Sequence, residues 1–135
     1  MNRGNRTFEE VAVEAGVAFD EEGKAEAGMG VDAADYDRDG RPDLFLTHLD
    51  LGYNRSYRNR HDGTLADATF SAQLGTGTFR MSGFGTRFFD YDNAGSRDLF
   101  IANGHVLDNI HLIHLAPPAP KQKQYTGMWV AFFLP

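Results

Sequence analysis

Asp35, Asp37, Asp39 and Asp43 stand at positions 1, 3, 5 and 9 of the stretch Asp35-Tyr36-Asp37-Arg38-Asp39-Gly40-Arg41-Pro42-Asp43. Carboxylates this close repel one another unless a cation neutralises them. An all-oxygen donor set, completed by the Arg41 carbonyl at position 7, suits a hard ion such as Ca2+, which takes about six to eight oxygens. Gly40 permits the sharp turn that aims the carboxylates inward. Arg38, at an even position, points away from the ion. The competing reading is a polar Asp/Gly surface turn that holds nothing.

An EF-hand loop begins in the same way, but it needs an apolar residue at position 8 and a bidentate Glu at position 12, where this chain has Pro42 and Leu46. The segment that follows, Asp43-Leu44-Phe45-Leu46-Thr47-His48, succeeds a proline and favours β-structure. The carboxylates therefore cap a strand and not a helix.

The arrangement recurs as Asp90-Tyr91-Asp92-Asn93-Ala94-Gly95-Ser96-Arg97-Asp98, so that Asp35 and Asp90 define a period of 55 residues. Asp90, Asp92 and Asp98 supply side-chain oxygens here, and the Ser96 carbonyl takes the place of Arg41's. Ala94 replaces the third carboxylate, which makes this the weaker site. The flanks repeat as well: Gly28-Met29-Gly30-Val31 precedes the first loop and Gly83-Phe84-Gly85-Thr86 the second. A fainter echo, Arg6-Thr7-Phe8 against Gly63-Thr64-Leu65, extends the register. A period in the fifties with short strands and Gly-rich turns is the pattern of a β-propeller blade array.

The runs from Gly28 to Phe45, from Tyr57 to Thr64 and from Phe88 to Asn93 resemble FG-GAP (VCBS-type) repeats, as found in bacterial proteins that pair them with an ASPIC/UnbV segment, relatives of cartilage acidic protein. The resemblance covers residues 5 to about 114. It implies an integrin-alpha-like propeller with calcium ions in hairpin loops between blade strands; full members carry about seven blades. Ser96-Arg97 departs from the apolar or aromatic residue usual before Leu99. The ASPIC/UnbV segment itself has no counterpart here. The expected fold is all-β: about two blades of four antiparallel strands over residues 1–114, then a non-repeat tail over 115–135, as a truncated or frame-altered gene product would have.

A chain of 135 residues with 15 Gly and 11 Phe suits tight turns between short aromatic strands, but two blades cannot close a ring. Their unpaired edges invite self-association or further repeats. A net charge of −6 argues against a nucleic-acid partner. The absence of cysteine removes disulfides, thiol nucleophiles and Cys-based zinc sites. The N-terminus shows no signal peptide, and the Met128–Leu134 run is too short to span a bilayer. A weak calcium loop points to an extracellular or periplasmic parent, because low cytosolic calcium would leave it empty.

The elements that must position the loops are strands over about 7–12, 29–34, 43–48, 54–59, 64–69, 84–89 and 98–103. Glu9 to Val17 is the one helix-permissive segment, and His61-Asp62-Gly63 marks a turn. Arg55, Arg58 and Arg60 read as strand-surface arginines paired with neighbouring acids, and Asp20-Glu21-Glu22 as a solvated turn. His105, His111 and His114 could hold a transition metal if helical, but alternation in 109–115 favours solvent-facing histidines on a strand.

Two functions compete: a calcium-stabilised adhesion module that binds a protein or glycan, and part of a metal-dependent polysaccharide lyase or dehydratase. The first is preferred and no catalytic residue is assigned, because the loop carboxylates are all accounted for as ligands; His105 is the one residue to test for catalysis.

Overall fold

The computed structural model describes residues 1–49, 51–74, 79, 81–104 and 129–133. Consecutive apolar residues after each carboxylate loop, Leu44-Phe45-Leu46 and Leu99-Phe100-Ile101, produce strands in which alternate positions such as Phe45, Leu99 and Ile101 are buried. β1 (Gly28–Ala34), β2 (Asp43–His48), β3 (Arg55–Asn59) and β4 (Leu65–Asp67) form a four-stranded antiparallel sheet in chain order. β5 (Ser82–Phe89), β6 (Asp98–Gly104) and β7 (Trp129–Phe133) form a second antiparallel sheet, again in chain order. These meanders are two blades of a β-propeller, three strands of the second lying within the described residues. Each carboxylate loop joins the first two strands of its blade.

The repeat extends to backbone irregularities. Register shifts fall between Gly28 and Val31 in β1 and between Gly83 and Gly85 in β5, at matching places in the two repeats. Arg38 and Asn93 both adopt positive φ (62° and 59°), as do Gly40 and Gly95 (89° and 81°). Both loops therefore follow the same twisted path.

The two blades meet where β1 and β2 pack against β5. Glycine makes this seam close: a Cβ on Gly30 would lie 3.0 Å from the Gly85 Cα, and one on Gly83 would lie 2.5 Å from the Thr47 Cβ. The fully buried Thr47 hydroxyl accepts from the Gly30 N–H at 2.8 Å and donates to the Gly83 carbonyl at 2.7 Å. Asp32 Oδ2 crosses the same seam to accept from the Phe88 N–H at 2.7 Å. The core sits beside it, where Phe45 of β2, Leu99 and Ile101 of β6, and Leu74 pack together with Ala72 and Phe88 against them. Phe88 meets the Phe45 ring edge-on at 6.3 Å and stacks on Tyr36 at 6.4 Å. Apolar contact thus fixes how one carboxylate loop stands beside the other.

Two outcomes differ from the sequence expectation. Residues 7–12 form no strand: one isolated bridge joins Asn2 to Phe8, and α1 (Ala12–Ala15) follows, ended by Gly16 at φ 79°. The N-terminal segment folds back on itself, its Arg3 N–H donating to the Thr7 carbonyl at 3.1 Å, so it has no sheet to join. The stretch 115–135, expected as a tail, contributes β7, whose Trp129 aligns with Asn103 and Phe133 with Leu99. Backbone pairing along β6 makes no demand on repeat sequence. His105, His111 and His114 lie outside the described residues.

Candidate metal centre

In loop 35–43 the carboxylates first build the loop. Asp35 accepts from the Asp39 N–H at 3.0 Å and the Gly40 N–H at 2.9 Å; Asp37 accepts from Asp39 N–H at 3.2 Å and Asp39 from Arg41 N–H at 3.0 Å. Loop 90–98 copies the pattern. Asp90 accepts from the Gly95 N–H at 2.8 Å, Asp92 from the Ala94 N–H at 3.0 Å, and Asp98 from the Tyr91 N–H at 2.6 Å. A carboxylate oxygen has more than one lone pair, so these bonds leave acceptor capacity for a cation.

Oxygens of Asp35, Asp37 and Asp39 gather within 4.8 Å of one another, and so do those of Asp90, Asp92 and Asp98. Asp43 stands outside the first group. It is fully buried at the start of β2, where it accepts from the Asn59 N–H at 2.9 Å and the Tyr36 N–H at 3.4 Å. Burial pushes its carboxyl above the ordinary range, those two amides pull it back, and Asp37 and Asp39 raise it further. Its counterpart Asp98, also buried, does join its group. Arg41 contributes its N–H to Asp39, while Ser96 turns its hydroxyl to the neighbouring blade.

The first loop is already met by basic side chains. Arg58 Nε lies 2.6 Å from Asp37 Oδ2, and His61 Nε2 lies 2.6 Å from Asp39 Oδ2. The His61 hydrogen bond, followed by the Arg41 amide among the favourable contacts, holds the Asp39 carboxyl below its usual value. In the second loop Asp90 Oδ1 is buried with no hydrogen-bond partner among the described residues. A cation is the partner that would satisfy it.

Arg38 points away from its own carboxylates and reaches the other loop, where Nη2 donates to the Gly95 carbonyl at 2.7 Å and to Ser96 Oγ at 2.6 Å. Loop spacing gave no sign of this contact, since it depends on the angle between blades.

Sequence reasoning also missed a buried ion cluster below β3. Arg55, taken for a surface arginine, has a side chain only 7% exposed. It grips Glu26 with two bonds of 2.8 and 2.7 Å and Asp67 at 3.1 Å, with Asp20 Oδ2 4.0 Å away. Beside it His48 is buried, its Nε2 3.8 Å from Glu26. Burial lowers the His48 pKa, outweighing Glu26, which raises it. The clue lay in the alternation of Arg55 with Tyr57, which puts both on one strand face.

A family model described as an FG-GAP-like repeat matches residues 35–101, from the first carboxylate of one loop through the other and into β6. The chain is an FG-GAP-type repeat protein, and its repeats are the blades seen here. No curated protein matches it. Among the described residues no helix is long and apolar enough to cross a membrane.

Proposed function

We propose that the chain is a calcium-binding propeller module whose loop face binds a protein or glycan ligand, as an adhesion repeat does. The observation that carries this reading is a group of three carboxylates in each of two repeat-related loops, whose first two members, Asp35 and Asp37 or Asp90 and Asp92, are held by matching backbone bonds. The donor chemistry fits calcium, being oxygen only, with a buried unpartnered oxygen in the second loop. Asp35, Asp37, Asp39 and the Arg41 carbonyl would hold one ion, with Asp43 behind them bonded to backbone amides; Asp90, Asp92, the Ser96 carbonyl and Asp98 would hold the other. The ion supplies the positive charge that lets the carboxylates crowd. At the first loop it competes with Arg58 and His61 for Asp37 and Asp39.

The reading is of a binding module and not of an enzyme, because the loop acids serve as ligands and backbone caps. A parent exposed to extracellular or periplasmic calcium suits sites of this strength. Calorimetric titration with calcium tests the proposal: binding to wild type that Asp35→Asn with Asp90→Asn abolishes supports it, and absence of binding heat with retained folding sinks it.

A further inference from the structure

A cleft of about 500 Å³ opens between the two carboxylate loops, on the seam between the blades. Arg38, Arg87 and Arg97 line it, together with Asp32, Asp35 and Phe88. Three arginines line one cleft on a chain whose formal charge is −6. Comparison of the repeats sharpens the point: Arg87 occupies the place of Asp32, and Arg97 the place of Pro42, one period earlier. Both differences add positive charge to this cleft.

These cations are only partly committed. Among the described residues Arg97 makes no ion pair, and Arg87 has one long contact, 3.8 Å to Asp32, while its side chain is 73% exposed. Arg38 is fixed by its bonds to Gly95 and Ser96, but a guanidinium carries five N–H donors and two bonds leave donors to spare. Pre-oriented guanidinium groups recognise planar oxyanions, carboxylates above all, through paired N–H donors.

We propose that this cleft binds an acidic saccharide, a uronate-type sugar whose carboxylate lies among Arg38, Arg87 and Arg97. The lining favours a sugar over an acidic peptide, because Asp32 stands beside the arginine donors, where it offers an acceptor to a sugar hydroxyl and repels a second carboxylate. A uronate carries carboxylate and several hydroxyls in one ring-sized unit. The volume falls in the range of small-molecule clefts. The inference rests on the binding-module reading above and names its ligand class.

The test is calorimetry of the full chain with tetragalacturonate, tetragalactose and tetraglutamate, each with saturating calcium and again with chelator, beside a separate calcium titration. The expected result is that tetragalacturonate binds and the other two do not. Added salt weakens that binding, and Arg87→Gln and Arg97→Gln each lower it about tenfold. Arg60→Gln, on an exposed turn outside the cleft, leaves it unchanged. Undiminished affinity in both cleft variants, equal binding of tetraglutamate, or no saccharide binding to wild type that still takes up calcium would each overturn the assignment. Loss of calcium heat in wild type would instead strike the calcium reading.

Discussion

Gly83 is the position where a single methyl group tests the packing of the two blades. Its Cβ, if present, would lie 2.5 Å from the Thr47 Cβ and 2.9 Å from Thr47 Cγ2, both in a fully buried side chain that cannot swing away. Relief requires the blades to part, which also stretches the 2.7 Å bond from the Thr47 hydroxyl to the Gly83 carbonyl. Overpacking costs about 1–3 kcal/mol and a lost buried hydrogen bond about 1 kcal/mol more. Gly83→Ala is therefore expected to destabilise by about 2–4 kcal/mol, a fall in Tm of roughly 10 °C for a chain of this size. Gly85→Ala provides the contrast. A Cβ there meets nothing within 4 Å, so the reduced freedom of the unfolded chain stabilises by about 0.5 kcal/mol. Thermal melting of both variants by circular dichroism decides the matter. Equal effects from the two substitutions would show that the seam does not have this geometry.

Three further outcomes are expected. Ala94→Asp adds the missing carboxylate to loop 90–98 and raises its calcium affinity about tenfold, about 1.4 kcal/mol, by calorimetry; an unchanged affinity would show that this position does not ligate. Arg55→Met leaves Glu26 and Asp67 without their shared cation and costs about 3 kcal/mol in urea unfolding, since both acids are mostly buried. His48 sets a pH dependence: burial holds its folded-state pKa below the unfolded value, so the unfolded chain takes up the proton first and stability falls as pH drops below about 6.5. His48→Gln should flatten the melting temperature between about pH 7 and 5.5, and an unaltered slope would assign that titration to another group.

The strands that carry the loops were legible because their signals are local. A proline and an aspartate mark the start of β2, its apolar, β-favouring run marks its body, and the repeat transfers the same assignment to β6. The strands observed at Gly28–Ala34, Asp43–His48, Arg55–Asn59, Ser82–Phe89 and Asp98–Gly104 fall within about two residues of those expected. The first loop's trio was legible for the same reason, since alternate loop positions bring the oxygens of Asp35, Asp37 and Asp39 together without help from elsewhere. What escaped depends on distant chain segments. Asp43 leaves its group because β3 presents the Asn59 amide to it, and Arg55 is buried because the loop around Glu26 folds over β3. The bridge from Arg38 to Gly95 requires the blade angle that glycines at the seam set. β7 lacked any repeat signal because it contributes through backbone pairing to β6.

Calcium titration joined to thermal melting tests the central claim most directly. If the paired loops are calcium sites, calorimetry shows binding with a Kd of about 10⁻⁵ to 10⁻³ M, magnesium competes poorly, and chelation lowers Tm because the ion binds the folded chain alone. Asp39→Ala should imitate the chelator at the first loop. A folded chain that takes up no calcium, or that melts at the same temperature with calcium and with chelator, would contradict the account.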